Sequence, residues 1–153
     1  MGANRALRVG ASPGNYARPG LAAPDRVHCP TMPTEPEPLT LADLARRAVQ
    51  ICDPQDADAV LGDYFVQFED ADEPVTAIQN LEERVALAAE GVDAGVDDPS
   101  IAVANAVIIY LAHRRDEFDD DPDDILRLAA RAEWRGNPPE AVTDWLADRG
   151  VRV

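Results

Sequence analysis

The sequence contains no lysine, because all fourteen of its Lys and Arg positions are arginine. This absence excludes chemistry that needs a lysine amine, such as a Schiff base or the phosphate contact of a P-loop. Acidic residues number 29, and the formal net charge is −15. We expect no direct binding of nucleic acid or of an anionic membrane, because clustered basic side chains bind phosphate groups. A basic protein fits this charge better as a partner.

Long hydrophobic runs and cysteines are also scarce. The longest largely apolar run, residues 101–112, has twelve residues, whereas a membrane-spanning helix needs about 20. Residues 1–38 contain no apolar segment of the length that export signals require. The two cysteines lie in different sequence contexts, so no disulfide framework is predicted, and Cys52 is expected to be a small buried apolar residue. These absences favour a cytoplasmic protein with no membrane contact.

Residues 1–38 differ in composition from the rest of the chain. They hold seven of the thirteen prolines and show no helical periodicity, which predicts a disordered Pro/Gly-rich tail. Residues 1–31 carry four Arg against one Asp, whereas residues 32–153 carry ten Arg against twenty-eight acids. Because this change falls at Met32, we interpret residues 1–31 as a mis-annotated start; a genuine basic arm that binds a partner is the alternative. Residues 39–153 are predicted to form a single helical domain.

The segment 101–112 (IAVANAVIIYLA) would be apolar on every side of a helix, with Asn105 as its one strongly polar side chain. Such a helix is normally buried. Residues 98–100 (DPS) before it are typical of a helix start, and the cations of residues 113–115 (HRR) suit a helix C-terminus. We therefore predict a buried central helix. Its lone amide is expected to find a partner, and replacing Asn105 with Leu is expected to change specificity or oligomeric state more than stability.

Further helices around this segment give the predicted fold, an all-α compact bundle of about six helices. Thr40 and Asp43 are placed as the capping box of the first helix. In the fifth helix, Ile125, Leu128, Ala129 and Ala132 are predicted to point inward. A polar residue followed by proline marks each of five predicted helix starts: Asp53-Pro54, Glu73-Pro74, Asp98-Pro99, Asp121-Pro122 and Asn137-Pro138.

An acidic cluster between the fourth and fifth helices is the candidate interaction surface. An EF-hand calcium loop needs Gly at its sixth position and Glu at its twelfth, but counted from Asp119 these positions hold Asp124 and Ala130. Asp120, Asp121 and Asp124 match the Asp-Asp-x-x-Asp pattern that resembles the magnesium and diphosphate site of prenyl-diphosphate enzymes. Pro122 interrupts the pattern here. The simpler interpretation is a solvated loop whose last acids favour the N-terminus of the next helix. The cluster comprises Asp116, Glu117, Asp119, Asp120, Asp121, Asp123 and Asp124.

A second acidic group suggests a different class of function. Glu82, Glu83, Glu90 and Asp93 resemble the paired acidic motifs of all-helical, magnesium-dependent nucleotide hydrolases, but they are spaced too closely along the chain. A solvated helix face is therefore preferred. His113 has no identifiable catalytic partner, so no catalytic residue, metal or cofactor is assigned.

Two explanations of the acidic charge remain open. The absence of Lys and the excess of Asp over Glu suggest a high-GC or salt-loving host. Salt adaptation is the simpler and preferred explanation of the charge. The other is an interaction surface, which predicts a small acidic helical protein that acts by protein–protein interaction. Its partner is unidentified, with a basic protein as the best candidate. An acidic nucleic-acid decoy and an immunity-type inhibitor of a basic protein are alternatives within the same class, and the oligomeric state is left open.

Overall fold

Six α-helices account for most of the structure, a computed structural model that describes residues 36–153. The all-α fold with six helices is confirmed. The disordered tail predicted over residues 1–38, and the predicted start of the protein at Met32, lie outside the described residues except for positions 36–38. The helices are α1 Leu41–Cys52, α2 Ala59–Val66, α3 Leu81–Glu90, α4 Pro99–His113, α5 Pro122–Trp134 and α6 Glu140–Asp148, with 3-10 helices at Val75–Ala77 and Arg115–Glu117.

Helix α4 is the centre of the bundle, as predicted. It packs against each of the other five α-helices, and Ile101 and Val103 are completely buried on opposite sides of it. The helix begins two residues before the predicted segment because Asp98 caps it and Pro99 occupies its first turn. No helix within residues 36–153 has the length and apolar character to cross a bilayer.

Local capping chemistry correctly marks several helix ends. The Thr40 hydroxyl accepts a hydrogen bond from the Asp43 amide, and the Asp43 carboxylate accepts one from the Thr40 amide, so the predicted capping box is present. Asp121 caps α5 and is followed by Pro122 in the first turn. Gly136 follows α5 with φ 81°, a left-handed conformation that favours glycine.

Two predicted helix starts are wrong. Helix α2 begins after Asp58 because the segment that follows Pro54 forms a turn, closed by the Asp58 amide, which donates to Asp53 Oδ2 at 2.7 Å. Pro74 introduces only the 3-10 helix Val75–Ala77, and α3 begins after Asn80. Proline sets the backbone equally well for a turn and for the first residue of a helix, which explains both errors.

The buried face of α5 also differs from the prediction. Ile125 and Ala129 are buried as expected, but Leu126 and Ala130 complete the face. Leu128 is 37% exposed, and Ala132 is exposed. Helix α5 packs against both α4 and α1. The positions of these two helices determine which side of α5 is buried, and that side includes Leu126 and Ala130 instead of Leu128 and Ala132.

Candidate interaction surface

The acidic loop, residues 116–124, connects α4 to α5. Its first residues belong to the 3-10 helix Arg115–Glu117, and its last residues form the first turn of α5. There Asp121 Oδ1 accepts hydrogen bonds from the amides of Asp123 at 3.0 Å and Asp124 at 3.4 Å. The predicted placement of the last acids at a helix N-terminus is confirmed, and the helix dipole favours their negative charge.

Arg47 on α1 fixes the backbone of this loop. Its Nε donates to the carbonyl oxygen of Phe118 at 3.0 Å, and its Nη2 donates to that of Asp120 at 3.1 Å. The guanidinium carbon also lies 6.0 Å from the centre of the Phe118 ring. The Arg47 guanidinium therefore bonds to backbone carbonyl groups of the acidic loop and forms no ion pair with the carboxylates of the loop.

Within the described part of the chain, some acids of the loop have partners of their own and others do not. The Tyr110 hydroxyl donates to Glu117, which also lies 3.7 Å from Arg114 Nη1. Desolvation, aided by this hydrogen bond to Glu117, raises the pKa of Tyr110 to about 12. Asp124 pairs with Arg127 at 2.5 Å.

Four carboxylates of the loop remain free. They are exposed, and among residues 36–153 they form no ion pair or side-chain hydrogen bond. Because the backbone below them is fixed, they form a defined cluster of negative charge on the surface. These four are Asp116, Asp119, Asp120 and Asp123.

Two grooves flank the exposed ridge of α1, and we call them the α1 grooves. The first, of about 410 Å³, separates α1 from the acidic loop and has Phe118 and Asp119 in its wall. The second, of about 480 Å³, separates α1 from α2 and has Phe65 and Asp56 in its wall. Both grooves are lined by Arg46 and Gln50. The first groove therefore continues the surface of the acidic loop across α1.

The second acidic group does not converge on one point. Glu82 and Glu83 lie in the first turn of α3, whereas Glu90 is its last residue and Asp93 follows the helix. At 1.5 Å per residue, Glu82 and Glu90 are separated by about 12 Å along the axis, too far for both to bind one ion. Within residues 36–153, no three His, Cys, Asp or Glu side chains are grouped as a metal site would require.

The acidic loop was identified from the sequence, but Arg47 and the α1 grooves were missed. Arg47 and Phe118 are 71 positions apart in the chain, and no local pattern reports their contact. The one available signal is the position of Arg47 directly before the buried Ala48, at the edge of the apolar face of α1. Comparisons of the chain with protein-family models, curated proteins and solved structures find no match.

Proposed function

We propose that the protein acts by binding a basic protein, with the acidic loop as the main contact surface. The observation that carries this proposal is the pairing of Arg47 with backbone carbonyls instead of carboxylates. The loop is thereby held in place, and Asp116, Asp119, Asp120 and Asp123, whose carboxylates have no partner among residues 36–153, can meet cations of another protein. A surface that is ordered before binding loses less conformational entropy on association, which favours affinity.

The charge also favours rapid association. A field of one sign steers an oppositely charged partner toward the surface and raises the association rate, and salt weakens this effect. A decoy of nucleic acid and an inhibitor of a basic toxin would both use such a surface. In either form, the protein occupies the basic face that its partner would otherwise present to phosphate groups.

Two charge-matched variants test the proposal. The loop variant replaces the four free acids of the acidic loop by Asn. The α3 variant replaces an equal number of exposed acids by the corresponding amides on and after α3. The changes are Asp116→Asn, Asp119→Asn, Asp120→Asn and Asp123→Asn in the first variant, and Glu82→Gln, Glu83→Gln, Glu90→Gln and Asp93→Asn in the second.

Each variant and the unchanged protein would be immobilised at equal density and exposed to a lysate of the native host at 0.15 M salt. We expect basic proteins to be retained by the unchanged protein and by the α3 variant but lost from the loop variant. Equal retention by both variants would contradict the role of the acidic loop. Magnesium-dependent nucleotide hydrolysis that the α3 variant loses would instead support the hydrolase alternative.

A further inference from the structure

We propose that the α1 grooves bind an amphipathic, basic helix of the partner protein; this inference rests on the proposed function and specifies its partner. Arg46 and Gln50 are four positions apart in the chain and form a ridge on the exposed face of α1, with one groove on each side. Helices pack by placing ridges of this spacing into the grooves of a neighbouring helix. The outer face of α1 therefore has a ridge and two grooves against which a second helix could pack.

The groove walls provide apolar contact area. Phe118 forms part of the first groove and Phe65 part of the second, and both rings are half-buried against the core. Leu39 and Val49 are also half-buried and add aliphatic surface to the two grooves. Apolar side chains on one face of a partner helix would contact these groups, as in other complexes in which a helix lies in a groove.

The charge of the grooves selects a basic helix. Asp43 and Asp119 line the first groove, and Asp53 and Asp56 line the second, whereas Arg46 and Arg47 are the only cations of residues 36–153 that line them. Arg47 is bound to loop carbonyls. Counted together, the four Asp and two Arg give the lining residues a negative net charge, with the first groove formally balanced and the excess of acid in the second.

The Arg46 guanidinium can release Asp43 to a partner cation while its side chain stays part of the ridge. Its ion pair with Asp43 is 3.3 Å long, and the two side chains are 54% and 38% exposed. An exposed ion pair of this kind contributes little to stability, and so does the exposed contact of the Arg46 guanidinium with the Phe65 ring at 5.6 Å, so a partner cation can replace Arg46 beside Asp43 at small cost. A second copy of this chain is a poor occupant, because two molecules of net charge −15 repel each other.

The test uses two fluorescent peptides of identical composition with the full chain at 0.15 M salt. One peptide places Leu on one helical face and Arg on the other, and the second has the same residues in scrambled order. Binding is measured by fluorescence anisotropy. We expect the amphipathic peptide to bind about tenfold more tightly or better, a difference of about 1.4 kcal/mol. Equal affinity for both peptides would overturn the groove proposal.

Two Gln-to-Arg variants locate the binding. Gln50→Arg adds a cation to the exposed ridge between the grooves, whereas Gln79→Arg makes the same change in the turn before α3. Repulsion of the basic helix predicts about a tenfold loss of affinity for Gln50→Arg and less than about a twofold change for Gln79→Arg. Equal effects of the two variants would overturn the proposal. Circular dichroism confirms that each variant is folded.

The loop variant separates the two proposals. If it loses affinity for both peptides while Gln50→Arg matches Gln79→Arg, the acidic loop binds cations and the groove inference fails alone. If neither the loop variant nor Gln50→Arg changes the affinity, both proposals fail. A dimer of the unchanged chain that Gln50→Arg dissociates, observed by sedimentation, would assign the grooves to a second copy and overturn the partner-helix assignment.

Discussion

Two adjacent arginines of α1 have different surroundings. Arg46 is exposed and pairs with Asp43, whereas Arg47 is half-buried and bonds to two carbonyl groups of the acidic loop. A charged donor that bonds to fixed carbonyls contributes more to stability than an exposed ion pair does. Arg46 and Arg47 therefore allow a comparison of two arginines on the same helix that differ in burial and in their hydrogen-bond partners.

We predict that Arg47→Ala lowers the free energy of unfolding by about 1.5–3 kcal/mol, because hydrogen bonds of a charged group are lost. The Arg46→Ala control should change it by less than about 1 kcal/mol. Urea unfolding measures both, and hydrogen exchange should become faster at the backbone amides of residues 117–121 in Arg47→Ala alone. Similar changes in the two variants would show that Arg47 does not fix the loop.

The lone amide of α4 has the partner that the sequence predicted. The Tyr64 hydroxyl donates to Asn105 Oδ1, and Tyr64 is completely buried. Burial raises the pKa of Tyr64, so its hydroxyl stays protonated and needs an acceptor. The expectation that Asn105→Leu changes specificity or oligomeric state stays a prediction. The substitution should also lower stability, because it removes the acceptor of the buried Tyr64 hydroxyl.

Asn105→Leu should destabilise the protein by about 1–3 kcal/mol, because it leaves the Tyr64 hydroxyl buried without its acceptor. Combining it with Tyr64→Phe removes both polar groups, so the double variant should be more stable than Asn105→Leu alone. A double-mutant cycle by urea unfolding measures this coupling. Additive losses would mean that the two groups do not depend on each other.

At the scale of the helices, the sequence predicts ends that depend on local chemistry. The caps Thr40, Asp98 and Asp121 bond to amides two or three residues away, so each is visible in a short stretch of sequence. The inward face of α5 depends on where α4 and α1 lie, and the choice of Leu126 over Leu128 therefore needed the tertiary structure.

The end of α5 contains a correctable strain. Arg135 has φ 52°, in the left-handed region that a residue with a Cβ adopts at an energetic cost. Arg135→Gly should therefore raise the stability by about 0.5–1 kcal/mol. The control Arg131→Gly, one turn earlier inside the helix, should lower it by about 1 kcal/mol. The midpoint of urea unfolding measures both, and a loss of stability in Arg135→Gly would refute the proposed strain.

At the scale of the whole molecule, the sequence predicted the fold and the acidic loop but not the surface around the loop. A helix that is apolar on all sides is expected at the centre of a bundle, and a run of acids is expected to be solvated. The central helix and the acidic loop could therefore both be predicted from short stretches of sequence. The groove between Phe118 and α1 joins residues that are distant in sequence. Such contacts arise from packing, which the hydrophobic pattern of each helix does not specify.

Most acidic side chains of residues 36–153 form no ion pair with another described residue. Residues 32–153 carry ten Arg against twenty-eight acids, and the described part of the chain contains four ion pairs, all at least partly exposed. Self-repulsion of this kind destabilises a compact state, and dissolved salt screens it. Salt adaptation and partner binding therefore predict different responses to salt.

Thermal melting of the full chain in increasing KCl tests whether this charge serves a partner or concentrated salt. The interaction account predicts a protein that is fully folded at 0.1 M KCl and whose Tm reaches a plateau by about 1 M, where the Debye length is about 3 Å and screening is complete. Partial unfolding at 0.1 M KCl, with a Tm that continues to rise beyond about 2 M, would contradict the interaction account and assign the acidic surface to salt adaptation.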